Sequence, residues 1–388
     1  MNLFKWNTPA TPVPEGAPGE SAVPEGMRIA GAWAWRILAI VGVLVVIGYL
    51  IITLREIVVP LMIAILIAAL LVPLVNRLVA AKWPRWLAVL VALLGTLVIV
   101  SGLIWLIVAQ VRSGFPDLRD RSIVAFEDFT KFLAAEPFNV DAKELQGYID
   151  TAIATFTADN GALWTGALSV GSTAGHFIVG LLLTIFATIF ILIDGKGIWA
   201  WIVRIFPRKA RPAIDGSGKA GWLALTTFVK VQIFVAFVDA VGIGLGAFIL
   251  GLFFRDQGGF PLVIPIAIAV FLGSFIPVVG AVVTGVFAVF VALVFLGPVP
   301  ALIMLGIVLL VQQVEGHILQ PLVMGSAVKV HPLAVVFAVA AGSGIAGIVG
   351  ALFAVPVVAV ANVMVTYIAS GRWRVQSEPR KKDVVSQV

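Results

Sequence analysis

The sequence predicts an all-α, polytopic integral membrane protein with about eight transmembrane helices. Several of them are expected to be broken or re-entrant in the C-terminal half, and a small helical segment is expected outside the membrane. Three observations carry this reading. Of 388 residues, 61% are hydrophobic and 12% charged, with a mean hydropathy of +1.10, against roughly half apolar and about a quarter charged in soluble domains. The apolar residues form runs long enough to cross a hydrocarbon core about 30 Å thick. Finally, the last third is apolar but interrupted by Pro261, Pro265, Pro277, Pro298, Pro300, Pro321, Pro332 and Pro356.

Residues 1–30 are rich in Pro, Gly and Glu, without apolar periodicity, and are expected to form a disordered tail. No small-residue cleavage site follows the first apolar run, so the tail is not expected to be a signal peptide. Three spans are expected within 31–111, at about 33–54, 57–79 and 86–111. The polar segment 112–165 follows. In it Leu145, Tyr148, Ile149, Ala152, Ile153 and Phe156 repeat at helical spacing behind Asp141 and Glu144, a capping-box pattern. Its apolar stripe suits packing on the membrane domain, an oligomer contact or a lid. Residues 166–193 hold another span, 194–230 a basic loop and amphipathic helix, 231–370 a core of broken helices, and 371–388 a second tail.

Charge placement predicts orientation, because cytoplasmic flanks retain Lys and Arg. Arg77, Lys82 and Arg85 crowd one turn without an acid, segment 194–230 has seven basic against two acidic residues, and the tail from 371 has five against two. Segment 112–165 has five basic against nine acidic. Both termini and the 194–230 loop are therefore expected in the cytoplasm and the acidic segment outside. Trp33, Trp35, Trp83, Trp86, Trp199, Trp201 and Trp373 fall near the proposed cytoplasmic ends, as interfacial aromatics do. The cluster Arg204, Arg208, Lys209 and Arg211 reads first as a topology signal and second as a site for anionic headgroups.

Polar residues within the spans mark candidate sites, since a charge at the bilayer centre costs about 2.5–3.5 kcal/mol even on insertion scales. On the helix from 228 onward, Gln232, Ala236, Asp239, Gly242 and Gly246 recur at steps of three or four and share a face that is unsuited to lipid. The segment beginning at Gln312 places Gln312 and Glu315 on one face and Gln313, His317 and Gln320 on another. Polar groups on two faces point to a piece inside the bundle or partly unwound beside a cavity, with Gly316 and Pro321 favouring unwinding. Pro277 and Gly280 in FIPVVG, Pro321, and Pro356 in FAVPVV are candidate helix-break hinges.

The motifs QPLVMG at 320–325, HPL at 331–333, GSGIAGIVG at 342–350 and AVPVVAV at 354–360, with FIPVVG at 275–280, resemble the signature of the autoinducer-2 exporter family of bacterial membrane transporters. The likeness covers about residues 33–370. It implies a multi-pass protein of the bacterial cytoplasmic membrane, a homo-oligomeric habit, and export of a small hydroxyl-rich signal. For some members it implies cation/proton antiport instead. Asp239 and Glu315 would then line or couple the pathway.

Other classes fit less well. The absence of cysteine excludes disulfides and thiolate chemistry. Gly342, Gly344 and Gly347 match the GxGxxG spacing, but no strand-turn-helix context or following acid accompanies them, and close helix packing is the expected reason for the glycines. Neither HExxH nor GxSxG occurs, and the three histidines, His176, His317 and His331, are scattered, so no enzyme, cofactor or metal site is expected. The net charge of +6 gathers beside the spans, which argues against nucleic acid.

Overall fold

The computed structural model describes residues 24–134, 170–255, 259–275, 279–317, 319 and 332–374. The amphipathic stretch 145–156, together with Pro277, Gln320, Pro321 and His331, lies outside them. Every regular element among the described residues is helical. Among the described residues, seven helices are long and apolar enough to span a bilayer, and Val263–Gly273 and Val282–Leu296 are shorter apolar helices. The expectation of about eight spans with short pieces near the C-terminus is met in kind.

The chain divides into two units, Met1–Arg55 and Glu56–Val388. The first is helix α1 (Glu25–Thr53), whose apolar side chains are exposed along nearly its whole length, as lipid-facing residues must be. It begins at Glu25, so six residues assigned to a disordered tail are helical.

The second unit begins with α2 (Arg55–Ala80), α3 (Arg85–Ala134) and α4 (Val170–Ile205). Ala68, Leu71 and Val75 of α2, Ala88, Val89 and Ala92 of α3, and Leu192 of α4 share one buried cluster. α3 continues past the end of its apolar run at Gln110, so the start of the acidic segment is helical. α4 breaks at Asp194 (φ −132°, ψ 36°), where the sequence expects its span to end. Arg85 donates from Nε and Nη2 to the Leu192 carbonyl at 3.0 and 2.8 Å, tying the starts of α3 and of this break to the same end of the bundle.

α5 (Arg211–Phe253) is the spine. At 43 residues it is about 65 Å long, twice the hydrocarbon thickness. Its first half packs against the end of α9 (Pro332–Ala369), where Tyr367 lies over Gly216 and joins Ala220 and Ala224 in a buried cluster. Its second half packs against α6 (Val263–Gly273), α7 (Val279–Leu296) and α8 (Pro298–Val314) around Ile243, Ala247, Ile266, Val291 and Met304. Gly242 faces Val311 of α8, and Gly246 faces Ile307 one turn away. These contacts set an antiparallel close crossing of the kind that small residues allow.

Two helical hairpins complete the C-terminal half, each closed by a pair of glycines in backbone contact. α6 and α7 approach so closely that a Cβ on Gly280 would collide with the Gly273 carbonyl. α9 turns at Ala346 and Gly347 (φ 60°, ψ −142°), and there Gly342 and Gly350 meet in the same way. Of the three GxGxxG glycines, therefore, Gly342 is a packing residue and Gly347 a turn residue, the latter in a backbone region that penalises side chains. Gly344 meets nothing. The hinge expected at Pro356 is displaced: the helix runs through Pro356, as α2 runs through Pro60 and Pro73, and the break falls earlier, at Gly347. A proline in a packed span removes one hydrogen bond, and neighbouring helices can satisfy the freed group.

Gly350→Ala should therefore cost about 1–3 kcal/mol of overpacking, whereas Gly344→Ala, with open space around it, should be neutral within about 0.5 kcal/mol. Thermal unfolding in detergent, followed by tryptophan fluorescence, measures both.

Candidate functional site

The polar centre of the bundle forms where α5 crosses the tip of the α6–α7 hairpin. Gln232 and Asp239 lie seven residues apart, two helical turns, and so project from the same side of α5. Both reach Ser274, the residue that ends α6. Gln232 Nε2 donates to the Ser274 carbonyl at 2.6 Å. That carbonyl is one of the terminal acceptors that a helix cannot satisfy internally, so the amide acts as a cap supplied by a neighbouring helix. Ser274 Oγ lies 3.2 Å from Asp239 Oδ2 and 2.8 Å from the Val270 carbonyl. Its single proton can serve only one of these acceptors at a time.

Asp239 is 1% exposed, and no described residue bonds its Oδ1. A buried acceptor left in this condition costs about 1–3 kcal/mol. Glu315 lies within electrostatic reach of it. The crossing of α5 and α8 explains the proximity: Gly246 faces Ile307, Gly242 faces Val311, and one further turn in the same register carries Asp239 to Glu315. Hence the two carboxylates that stand 76 positions apart in the chain approach through two glycines.

Beyond Val314 the backbone widens into a π-helical turn at Glu315–His317, a form that often accompanies functional sites. Gln312 and Glu315 are half-buried, while Gln313 and His317 are exposed, with His317 Nδ1 3.3 Å from the Gln313 carbonyl. Among the described residues, Gln312 and Glu315 thus lie on a half-buried side and Gln313 and His317 on an exposed one. Of the expected hinges, Gly280 is buried at the start of α7, where its carbonyl accepts Thr284 Oγ1 at 2.7 Å.

Ser274 is the site residue that sequence reasoning missed. A serine between Gly273 and Phe275 is unremarkable in hydropathy, and the one available signal is its place three residues before Pro277, one of the expected hinges. The second hairpin carries a serine in the matching position, Ser343 after Gly342, but it is exposed and bonds the Ala340 carbonyl of its own helix at 2.8 Å. The first tip is therefore gripped by α5 and the second is not.

Comparison with known proteins bears on what such a centre does. A family model described as AI-2E family transporter matches residues 38–370. The Mycobacterium tuberculosis protein named "Putative transport protein MT0215" is 36% identical over 352 residues, covering 91% of this chain and 94% of its own. "AI-2 transport protein TqsA" of Escherichia coli K12 is 26% identical over 87% of this chain and 93% of its own. "Putative transport protein YueF" of Bacillus subtilis is 27% identical over 74% of this chain and 77% of its own.

Ser274→Ala should destabilise the protein by about 1–3 kcal/mol, because it leaves both oxygens of Asp239 without a described donor. Adding Asp239→Leu should recover part of that loss by removing the stranded carboxylate. Denaturation of the single and double variants in detergent tests this, and full additivity would argue against the contact.

Proposed function

The chain belongs to the AI-2E transporter family, and from that premise we propose that it exports a small polar solute of the autoinducer-2 kind, with Asp239 and Glu315 in the pathway. Membership makes it a multi-pass membrane transporter, in agreement with the names of its relatives. The solute rests on one relative, whose printed name is AI-2 transport protein. The observation that supports the pathway is the Asp239 oxygen that no described residue bonds, buried at a hairpin tip beside a second carboxylate.

A hydroxyl-rich solute loses its hydration on entering the bundle, and each unpaired polar group would cost several kcal/mol there. Carboxylate oxygens at Asp239 and Glu315, the amides of Gln232 and Gln312, and the carbonyls at the hairpin tip can replace that water. Two acids in lipid would by themselves also suit exchange of a cation for a proton; the names of the relatives favour solute transport. We further propose residence in the bacterial cytoplasmic membrane with both termini in the cytoplasm, and a homo-oligomer, on the charge distribution and family habit already described.

In proteoliposomes loaded with autoinducer-2, Asp239→Asn and Glu315→Gln should each reduce efflux about tenfold or more. Folded yield should be unchanged, because a neutral amide inserts more easily than a carboxylate. Wild-type efflux in both variants would remove the acids from the pathway. Orientation is read separately in this cysteine-free chain: an impermeant maleimide on intact cells should label Gly147→Cys and leave the exposed Lys209→Cys unmodified until the membrane is opened.

A further inference from the structure

The stretch between the break in α4 and the start of α5 has a built form that solute handling does not require. Asp194 Oδ1 accepts the Gly197 N–H at 3.1 Å, a side-chain cap that starts a separate short helix running to Ile205. Arg211 closes its far end, donating from Nε to the Phe206 carbonyl at 2.9 Å and from Nη2 to the Arg204 carbonyl at 2.8 Å. One side of this helix packs inward. Val203 is buried, and Trp199 lies against Gly218 and donates from Nε1 to Asp215 Oδ1 at 3.0 Å.

The other sides face outward with two distinct chemistries. Trp201 and Ile205 are 63% and 67% exposed. Lys196, Arg204, Arg208 and Lys209 are all exposed, and none pairs with an acid among the described residues. Both acids of the segment are engaged elsewhere: Asp194 caps the helix, and Asp215 bonds Trp199 and forms a 2.9 Å ion pair with Lys219. The local positive charge is therefore uncompensated among the described residues, and it lies just past the break at Asp194 in the apolar stretch Ile178–Ile205.

We propose that this elbow binds anionic phospholipid headgroups. Trp201 and Ile205 lie at the boundary of headgroups and acyl chains, where tryptophan concentrates, and Lys196, Arg204, Arg208 and Lys209 contact the phosphates. A topology signal needs only positive charge. It has no use for a capped helix, a guanidinium clip at its end and an exposed Trp–Ile face. Charge complementarity selects the partner, since each cation near an anionic surface is worth about fivefold in binding.

The test uses the full-length protein in detergent, mixed with dioleoyl-phosphatidylglycerol or dioleoyl-phosphatidylcholine, with retained lipid counted by native mass spectrometry. Wild type should retain the anionic lipid over the zwitterionic one by about tenfold or more. The variant K196Q/R204Q/R208Q/K209Q should lose most of that preference, and the charge-preserving K196R/R204K/R208K/K209R should keep it. Equal retention of the two lipids by wild type, or undiminished preference in the neutralised variant, overturns the proposal. If the neutralised variant aggregates, wild type decides: the preference should fall severalfold between about 50 mM and about 500 mM salt, and a salt-independent preference also overturns the proposal.

Discussion

A carboxylate buried inside a membrane bundle has few ways to be stable, and Asp239 constrains its surroundings accordingly. Water is absent from the hydrocarbon core, so every polar group at that depth needs a partner from the protein or from what the protein carries. Asp239 has one described contact, Ser274, for its two oxygens. Several features of the C-terminal half bear on this residue. The Gly242 and Gly246 crossing brings Glu315 alongside, Gln232 fixes the Ser274 carbonyl, and the Gly273–Gly280 contact folds the hairpin so that its tip meets α5. The bundle thus holds a polar centre in place while leaving one oxygen of Asp239 without a described partner, and the proposed pathway rests on that feature.

The hairpins show how such a centre can exist within lipid. Irregular backbone at membrane depth is tolerated only where protein covers it or where it borders a cavity. At the α6–α7 tip, the terminal carbonyl of α6 takes its hydrogen bond from Gln232, and the glycine pair lets the two helices approach to backbone contact. The second hairpin, in α9, repeats the glycine device without the polar grip. The two hairpins therefore share a construction and differ in what holds their tips.

Much of this was legible in the chain itself. Hydropathy located the spans because the bilayer makes length and apolarity nearly sufficient, and the 3.6-residue period placed Gln232 and Asp239 together. The break in α4 at Asp194 also followed from composition, since the next residues mix charge with tryptophan. What could not be read was contact between distant segments. Ser274 is one of many small polar residues, and nothing local says that α5 reaches it. The pairing of Gly342 with Gly350 depends on a turn at Gly347, and proline drew attention to Pro356 instead. Whether a proline breaks a span depends on the helices packed around it, which is a property of the fold and not of the residue.

The proposed pathway requires water to reach the Asp239–Ser274 contact. Because the chain contains no cysteine, Ser274→Cys supplies a single reporter at the hairpin tip. A thiol reacts with a water-soluble methanethiosulfonate only where it can ionise and be approached. Reconstituted Ser274→Cys should therefore be modified by that reagent, with a rate slowed severalfold by saturating transported solute. A thiol that stays unmodified, or reacts at the same rate with and without solute, would mean that Asp239 and Ser274 form a packing contact and no pathway.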